Sequence, residues 1–344
     1  MNHIRAEWRQ RHTQFRKMQK TQNQLNQHLK GQPAIHLALY PIIVFIVGHL
    51  MFDEIGNLFA VHGLQQTESV LPSANHHEVI SGGHTWAASA NAYLLIMLFT
   101  MMILFHWIWT KARGRLAAFY LFISGTLISL GLTYLVHIDT NNRPIKAIFL
   151  VTFRSLRLNE YLQKNLAINT VSNTLATINI LSIIVTAMLC AFAPLLARKP
   201  INGWTEKELF NRVKDLRLIT VVASAFLIAG TLHMHAWMAW STEILNTESL
   251  EAVINSVTFY WGSVFTTMLA AFYVPISLVL QNRAEAVMED QQVEMTKRNE
   301  WLSSRGLSLQ ISNQLPQVVG ILGPLATTPI GNILSNLNFL PPGQ

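Results

Sequence analysis

Histidine recurs as an ionisable residue inside the long uncharged stretches of this sequence, and imidazole is a ligand for haem iron and transition metals. His49, His84, His137 and His233 come from different uncharged stretches and fall at similar predicted depth. Haem needs histidines that face each other across helices, so this arrangement permits a bis-histidine haem without indicating one. We treat these four residues as candidates for cofactor binding, but predict no cofactor.

A second group of histidines falls at or near the same predicted side as several acidic residues, which would suit a transition-metal or pH-responsive site. The group consists of His62, His76, His77 and His235. Their spacing matches no diagnostic ligand motif, and the pattern His-Glu-x-x-His is absent. His233 and His235 are two residues apart, so on a helix they point to nearly opposite sides. Interfacial histidines that bond to loops and water are the simpler interpretation.

Other catalytic patterns are missing from the sequence. It has no glycine-rich phosphate loop, no Gly-x-Ser-x-Gly elbow and no evident pair of catalytic carboxylates. Gly82-Gly83 before His84 is interpreted as a turn. The single cysteine, Cys190, excludes an intrachain disulfide and a cysteine-cluster metal site. We therefore predict no catalytic residues and favour a protein that is not an enzyme.

Neutral polar and small residues recur at helical spacing in several uncharged stretches. Thr177, Asn179 and Ser182 give one stretch a hydrogen-bonding side that could line a pore. Small residues four apart let helix backbones approach closely. They are Gly125 and Ser129, Ala225 and Ala229, and Gly262, Thr266 and Ala270. Ordinary packing within a bundle explains both patterns, and pore lining or subunit contact would use the same residues.

The uncharged stretches themselves predict the elements that position these side chains. With 51% hydrophobic and 12% charged residues and a mean hydropathy of +0.29, the chain departs from ordinary soluble composition. A helix of about 20 apolar residues crosses the hydrocarbon core. We predict an all-α polytopic membrane bundle at 33–282 with about six transmembrane helices. They lie near 33–52, 86–110, 116–138, 173–197, 218–240 and 257–280.

Basic residues predict the orientation of this bundle. The first 30 residues contain seven Lys or Arg and one acid, Glu7, which favours a cytoplasmic N-terminus. Six spans then place both termini in the cytoplasm, and a bacterial inner membrane is the expected location. Five basic residues contradict this charge pattern because they fall in the predicted second outer loop. They share one helical face opposite apolar residues, so we predict an amphipathic interfacial helix at 143–165.

Three further segments flank or connect the spans. Residues 1–32 form a predicted basic amphipathic helix with a partial heptad pattern, suited to anionic lipids or to a coiled-coil partner. Thr205 and Glu208 match a capping box that starts a charged helix leading into the fifth span. Residues 283–305 are predicted to continue the last span as a cytoplasmic helix. Residues 306–344 contain no charge and several prolines and glycines, and are predicted to dock on the bundle or on a partner.

These features favour a non-enzymatic membrane component that acts as a scaffold, or as a signalling or assembly subunit of a complex. One alternative is a channel or uncoupled transporter, since buried charges typical of ion-coupled transport are missing from the uncharged stretches. Another is a membrane redox or metal protein that uses the histidines. The expected partners are anionic lipids, and a protein or second copy bound through 1–32 and 306–344. Charge concentrated in loops does not suggest nucleic-acid binding.

Overall fold

The computed structural model describes residues 34–67, 76–111, 115–137, 151–153, 155–157, 167–198, 200, 203–245, 248–308 and 315–336. Within these residues the backbone forms helices and turns and no strand. The long helices are α1 Leu39–Thr67, α2 His76–Lys111, α3 Arg115–His137, α4 Ala167–Ala197, α5 Glu206–Leu245 and α6 Glu248–Asp290. The short helices are α7 Arg298–Ser304, α8 Leu315–Leu322 and α9 Thr327–Asn336. Short 3₁₀ segments occur at Ala34–Ala38, Met295–Lys297 and Gly323–Ala326.

The predicted fold class, a polytopic membrane bundle of about six helices, is confirmed. Among the described residues, five helices are long and apolar enough to cross a membrane, namely α1, α2, α4, α5 and α6. The remaining predicted span, the third at 116–138, corresponds to α3, a helix of 23 residues with a shorter apolar stretch at Leu121–Thr133. Backbone groups in lipid must be satisfied within the segment, which explains why apolar stretches of this length form helices.

Helix α5 lies at the centre of the described bundle, between α2 on one side and α6 on the other. Helix α1 packs against α6, and α3 packs against α4. The fully buried side chains of α5 include Leu216, Ile219, Phe226 and Trp237. Large apolar side chains such as Phe99, which is 60% exposed, cover the outside, as expected for a surface that faces lipid.

The long helices extend beyond the predicted spans. Helix α1 continues past residue 52 to Thr67, and α2 begins at His76, ten residues before the predicted span. Gly82 and Gly83 therefore lie within α2 and do not form the predicted turn. A β-carbon on Gly83 would approach Trp240 Cζ2 to 3.0 Å, so glycine at this position lets α2 and α5 pack closely.

The charged connector before the fifth span and the span itself form one helix. Thr205 Oγ1 accepts a hydrogen bond from the Glu208 N–H at 3.2 Å, which caps the first turn of α5 as the sequence pattern predicts. From Glu206 the helix continues for 40 residues. We call the end of the bundle around Arg212 and Arg217 the charged end, and the end at the α5–α6 connection the opposite end.

Helix α6 ends at Asp290, which differs from the predicted continuous helix at 283–305. The Gln292 N–H donates to Glu289 O at 2.9 Å and the Val293 N–H to Met288 O at 3.2 Å, a Schellman-type ending. Gln292 adopts the left-handed region with φ 56°. After this turn α7 returns toward the bundle and buries Trp301.

Helix α7 ends at Ser304, and Gly306 follows in the turn, close to the predicted end of the cytoplasmic helix at residue 305. Gly306 has φ 65°, which a glycine adopts without steric cost. Its N–H donates to Ser303 O at 3.0 Å, and the Leu307 N–H donates to Leu302 O at 2.8 Å. These bonds satisfy carbonyl groups at the helix end, and the chain then turns toward α5.

The described part of the uncharged tail packs on its own chain. Helices α8 and α9 and the 3₁₀ turn between them contact both α5 and α6. The inward positions include Gln317, Pro324 and Thr327, all buried. The sequence left open whether this tail docks on the bundle or on a partner. In the structure, residues 315–336 dock on the bundle.

Part of the predicted interfacial helix also reaches the bundle. Residues 151–153 and 155–157 are helical, and the rest of 143–165 lies outside the described residues. Leu156 is 1% exposed, and Thr152 Oγ1 donates to Trp237 O at 3.1 Å. Phe153 packs on the Trp237 ring. Val151, Thr152, Ser155 and Leu156 are buried, and the contacts of Thr152 and Phe153 with Trp237 place this segment against α5 near the opposite end. Residues 1–32 lie outside the described residues.

Candidate functional site

An aromatic cluster surrounds His233 where α2 meets α5. The His233 ring lies 5.7 Å from Tyr93 and 6.2 Å from Trp86, measured between ring centroids. Trp86 packs in turn on Trp237 at 5.5 Å and on Trp240 at 5.6 Å. Aromatic pairs at such distances stabilise a bundle beyond their buried area. The rings fill the space beside His233 and fix its position.

A polar contact joins this cluster to α4. Tyr93 Oη and Ser182 Oγ are 3.0 Å apart, and Ser182 Oγ also lies 2.7 Å from Ile178 O. A β-carbon on Gly230 would lie 2.9 Å from Tyr93 Oη, so the glycine in α5 makes room for the phenol. The contact thus connects α2, α4 and α5 at one depth, which is the role of hydrogen-bonding side chains in membrane bundles.

His235 faces the other side of α5, as the two-residue spacing predicts. Its Nδ1 lies 3.2 Å from Thr258 Oγ1 of α6. A β-carbon on Gly331 of α9 would lie 2.7 Å from its Cδ2. His233 and His235 therefore belong to different interfaces, and the structure does not bring them together.

His49 belongs to a third environment, between α1 and α6. Its ring stacks near Phe45 at 6.3 Å and lies 6.3 Å from Trp261. His49 Nε2 is 3.5 Å from Asp53 Oδ2, one helical turn away. Tyr260 Oη donates to Gly48 O at 2.6 Å in the same interface. His49 thus lies between α1 and α6, whereas His233 lies where α2 meets α5.

The remaining candidate histidines are only partly described. His84 is exposed on α2. The side chains of His62, His76, His77 and His137 lie outside the described residues. Among described side chains, no group of three His, Cys, Asp or Glu residues is placed to hold a metal ion. The haem and metal hypotheses stay predictions.

The polar residues of α4 do not line an interior in the described part of the chain. Thr177 and Asn179 are exposed on the outside of α4, and Thr177 Oγ1 donates to Asn173 O of its own helix at 2.8 Å. Ser182 is used in the contact with Tyr93. The structure therefore gives each of these residues a place that does not need a pore.

Some of the small residues predicted to mediate packing contact another segment closely, and others do not. Gly262 is buried, and a β-carbon there would lie 2.4 Å from Pro324 O of the C-terminal segment. Thr266 and Ala270, further along α6, are half-buried. Gly125 of α3 is exposed with open space beside it. Gly262 thus lets another backbone approach α6, while Gly125 has no such contact.

At the charged end, ion pairs and hydrogen bonds of arginine side chains connect α4, α5, α6 and α7. Arg212 Nε lies 2.8 Å from Glu208 Oε1, and Arg212 Nη1 donates to Leu195 O at 2.8 Å. This carbonyl belongs to the last turn of α4, where backbone oxygens have no partner within the helix. One guanidinium therefore joins the ends of two spans.

Helix α7 is held at the same end. Arg298 forms an ion pair with Glu285 of α6, and Arg305 Nε lies 2.9 Å from Glu206 Oε1 of α5. The Arg305 guanidinium also stacks 4.5 Å above the Trp301 ring. Exposed ion pairs contribute little individually, but this set fixes α7 across α5 and α6 around a buried tryptophan.

Arg217 anchors the start of the C-terminal segment. Its Nη2 donates to Gly306 O at 3.3 Å and to Ser308 O at 3.4 Å. No sequence motif predicts a partner for Arg217. Its carbonyl partners are 89 and 91 residues away and carry no side-chain signal, which is why sequence reasoning missed this contact.

No protein-family model, curated protein or solved structure matches this chain.

Proposed function

We propose that this chain is a non-enzymatic membrane component that acts as a scaffold or assembly subunit through its charged end. The supporting observation is the length of α5 and α6, which contain 40 and 43 residues. At about 1.5 Å per residue each is on the order of 60 Å long, roughly twice the hydrocarbon thickness. Both helices therefore extend well beyond the bilayer.

The charged end has the properties of a docking surface. Its helices are fixed by the ion pairs of Arg298 and Arg305 and by the hydrogen bond from Arg212 to Leu195 O, so little conformational entropy would be lost on binding. Exposed acidic residues cover its α6 side, namely Glu289, Asp290, Glu294 and Glu300. Charged surfaces steer partners of complementary charge. The proposed partner is a protein with a basic surface.

The proposed location follows the basic residues. We place the charged end in the cytoplasm of a bacterium, with the chain in its inner membrane. Residues 1–32 would rest on anionic lipids at that face or join a coiled coil with a partner or second copy. Residues 315–336 of the tail pack on α5 and α6, so an assembly contact through this part of 306–344 would use its outer side.

Copurification from native membranes tests the proposal. The full chain is solubilised in mild detergent beside a variant with Glu289→Lys and Asp290→Lys, which reverses exposed charge at the charged end. The matched control is Glu251→Lys, an exposed acid at the opposite end. We expect a stoichiometric partner with the native chain and Glu251→Lys, and at least about tenfold less with the double variant, equivalent to about 1.4 kcal/mol.

Equal recovery with all three chains would contradict docking through the charged end. Loss with Glu251→Lys alone would move the interaction to the opposite end. Circular dichroism and size-exclusion profiles of the three chains show whether each retains the bundle, so that lost binding is not mistaken for unfolding.

A channel or uncoupled transporter is the second candidate, supported by the 3₁₀ break at Gly323–Ala326 between α8 and α9. Interrupted helices often line solute sites in transporters because the break frees backbone polar groups. Solute and ion flux into proteoliposomes tests this candidate. We expect the native chain to show flux. The flux should fall when Gly323→Ala and Pro324→Ala make the segment more helical, and it should be unchanged in Gly125→Ala. A native chain without flux would exclude it.

A further inference from the structure

The C-terminal segment at 315–336 follows α5 along its length. A β-carbon on Gly320 would lie 3.2 Å from Ser224 Oγ, and one on Gly323 would lie 2.4 Å from Ile228 Cδ1. Further along, Gly331 meets His235 at 2.7 Å. Gly320 and Gly331 are separated by the same number of residues as Ser224 and His235. The segment therefore runs parallel to α5 in constant register, and does not fold back as a hairpin.

The length of this segment matches a membrane. Helix α8, the 3₁₀ turn and α9 contain 8, 4 and 10 residues. At about 1.5 to 2 Å per residue they extend on the order of 30 Å, the thickness of a hydrocarbon core. The stretch of α5 alongside is its apolar part, which lies between the charged residues Arg217 and Glu243. Each half alone is too short to be recognised as a span.

The two sides of the segment also suit a position in lipid. Toward the bundle it places Gln317, which is 7% exposed, Thr327, which is 0% exposed, and the buried Pro324. Toward the outside it places apolar side chains, namely Leu315, Val319, Leu322 and Ile330, which are between 43% and 63% exposed. A membrane-spanning helix has this distribution, because its polar and small residues face the other helices and its apolar residues face lipid. In water this surface would favour aggregation.

The two ends of the segment lie at different ends of the bundle. Its first residue, Leu315, comes seven residues after Ser308, whose carbonyl accepts a hydrogen bond from Arg217 at the charged end. It continues past His235 toward the level of Trp240, where the aromatic cluster of the opposite end begins. Gly262 permits this passage because Pro324 O occupies the place of a side chain on α6.

We infer that residues 315–336 cross the membrane as a broken span parallel to α5, so that residues after Asn336 lie on the same side as the α5–α6 connection. Residue 344 is then on the side opposite α7, contrary to the expectation that six spans return it to the cytoplasm. This inference uses the membrane position of α5 and does not depend on the proposed assembly function.

Labelling of single cysteines tests the side of each segment in the full chain. In a Cys190→Ala background, single cysteines replace Gln344, Ser303 of α7 and Glu251 near the start of α6. Ser303 and Glu251 are exposed and mark the two ends. A membrane-impermeant maleimide is applied to sealed vesicles of one orientation, before and after permeabilisation. We expect Gln344→Cys to label under the same conditions as Glu251→Cys and opposite to Ser303→Cys.

Labelling of Gln344→Cys together with Ser303→Cys, or equally from both sides, overturns the inference. A pair of reporters fused after Gln344 of the otherwise native chain, one active on each side of the membrane, repeats the measurement without cysteine substitutions. Reporter activity that places residue 344 on the same side of the membrane as Ser303 would overturn the inference as well.

A crosslinking pair tests the parallel register separately. Gly320 and Ser224 are suited to a disulfide because the β-carbon position at Gly320 lies 3.6 Å from Ser224 Cβ, within the usual range. We expect Gly320→Cys with Ser224→Cys to crosslink on mild oxidation. The mismatched pair Gly331→Cys with Ser224→Cys should not. Crosslinking of the mismatched pair, or of neither pair in chains that retain a native size-exclusion profile, would overturn the register.

Discussion

Gly262 is the residue on which the contact between α6 and the C-terminal segment depends most directly. A β-carbon at this position would lie 2.4 Å from Pro324 O, far inside the van der Waals distance. The obstructing atom belongs to the backbone, which cannot rotate away as a side chain would. Gly125, in contrast, has open space beside it although it belongs to the same type of small-residue pattern.

We therefore expect Gly262→Ala to destabilise the folded protein and Gly125→Ala to have little effect. Overpacking of this kind costs about 1 to 3 kcal/mol, because the segment at Pro324 must move or the helices must separate. Thermal unfolding in detergent measures the difference, and the midpoint of Gly262→Ala should fall by several degrees. Equal midpoints for the two variants would show that the segment does not rest on Gly262.

The residues differ in how far the sequence could predict their roles. The opposite directions of His233 and His235 follow from their spacing along a helix, and the structure gives them different partners, Tyr93 and Thr258. The role of Gly262 as a packing residue was predictable from its small neighbours. Its partner was not, because the contact is to a backbone carbonyl and helical spacing says nothing about which segment approaches.

The ends of the helices show the same distinction at the scale of elements. Thr205 starts α5 through a side-chain cap, and Gly306 ends α7 with a left-handed residue, so both boundaries have sequence signals. The end of α6 has no such signal, since Gln292 adopts φ 56° although glutamine is uncommon there. Burial of Trp301 and Leu302 after the turn offsets this cost.

Replacement of Gln292 tests this account of the α6 ending. We expect Gln292→Gly to stabilise the protein by about 1 kcal/mol, because glycine removes the steric cost of the left-handed conformation. Gln291→Gly is the matched control. It should cost up to about 1 kcal/mol through chain entropy, because Gln291 is not among the residues with positive φ. Chemical unfolding in detergent measures both, and a destabilised Gln292→Gly would contradict the strained turn.

At the scale of the whole molecule, the sequence predicts the number of long helices in the bundle. It does not predict how these helices are arranged. Length and hydropathy are properties of each stretch alone, so they indicate spans directly. The central position of α5 depends on contacts between distant stretches. The broken span at 315–336 is also hidden, because Gly323 and Pro324 divide it into helices that are individually too short to be recognised.

Cys190 provides a measurement of the folded bundle as a whole. It is the single cysteine, lies in α4 and is 8% exposed. We expect a membrane-permeant maleimide to react with it at least about 100-fold more slowly in the folded protein than in denaturing detergent, which corresponds to an opening free energy near 3 kcal/mol. Similar rates in both states would show that α4 is not packed as described.

The course of residues 315–336 bears on how the protein is made. The ribosome releases this segment after α5 and α6. Each of its two short helices is too short for the insertion machinery to retain it as an ordinary span. We expect it to enter the membrane only when Gly262 and Ser224 already present a surface that fits it. A nascent chain that stops after Ser308 would leave this small-residue surface facing lipid, which would distinguish unfinished chains from finished ones during quality control.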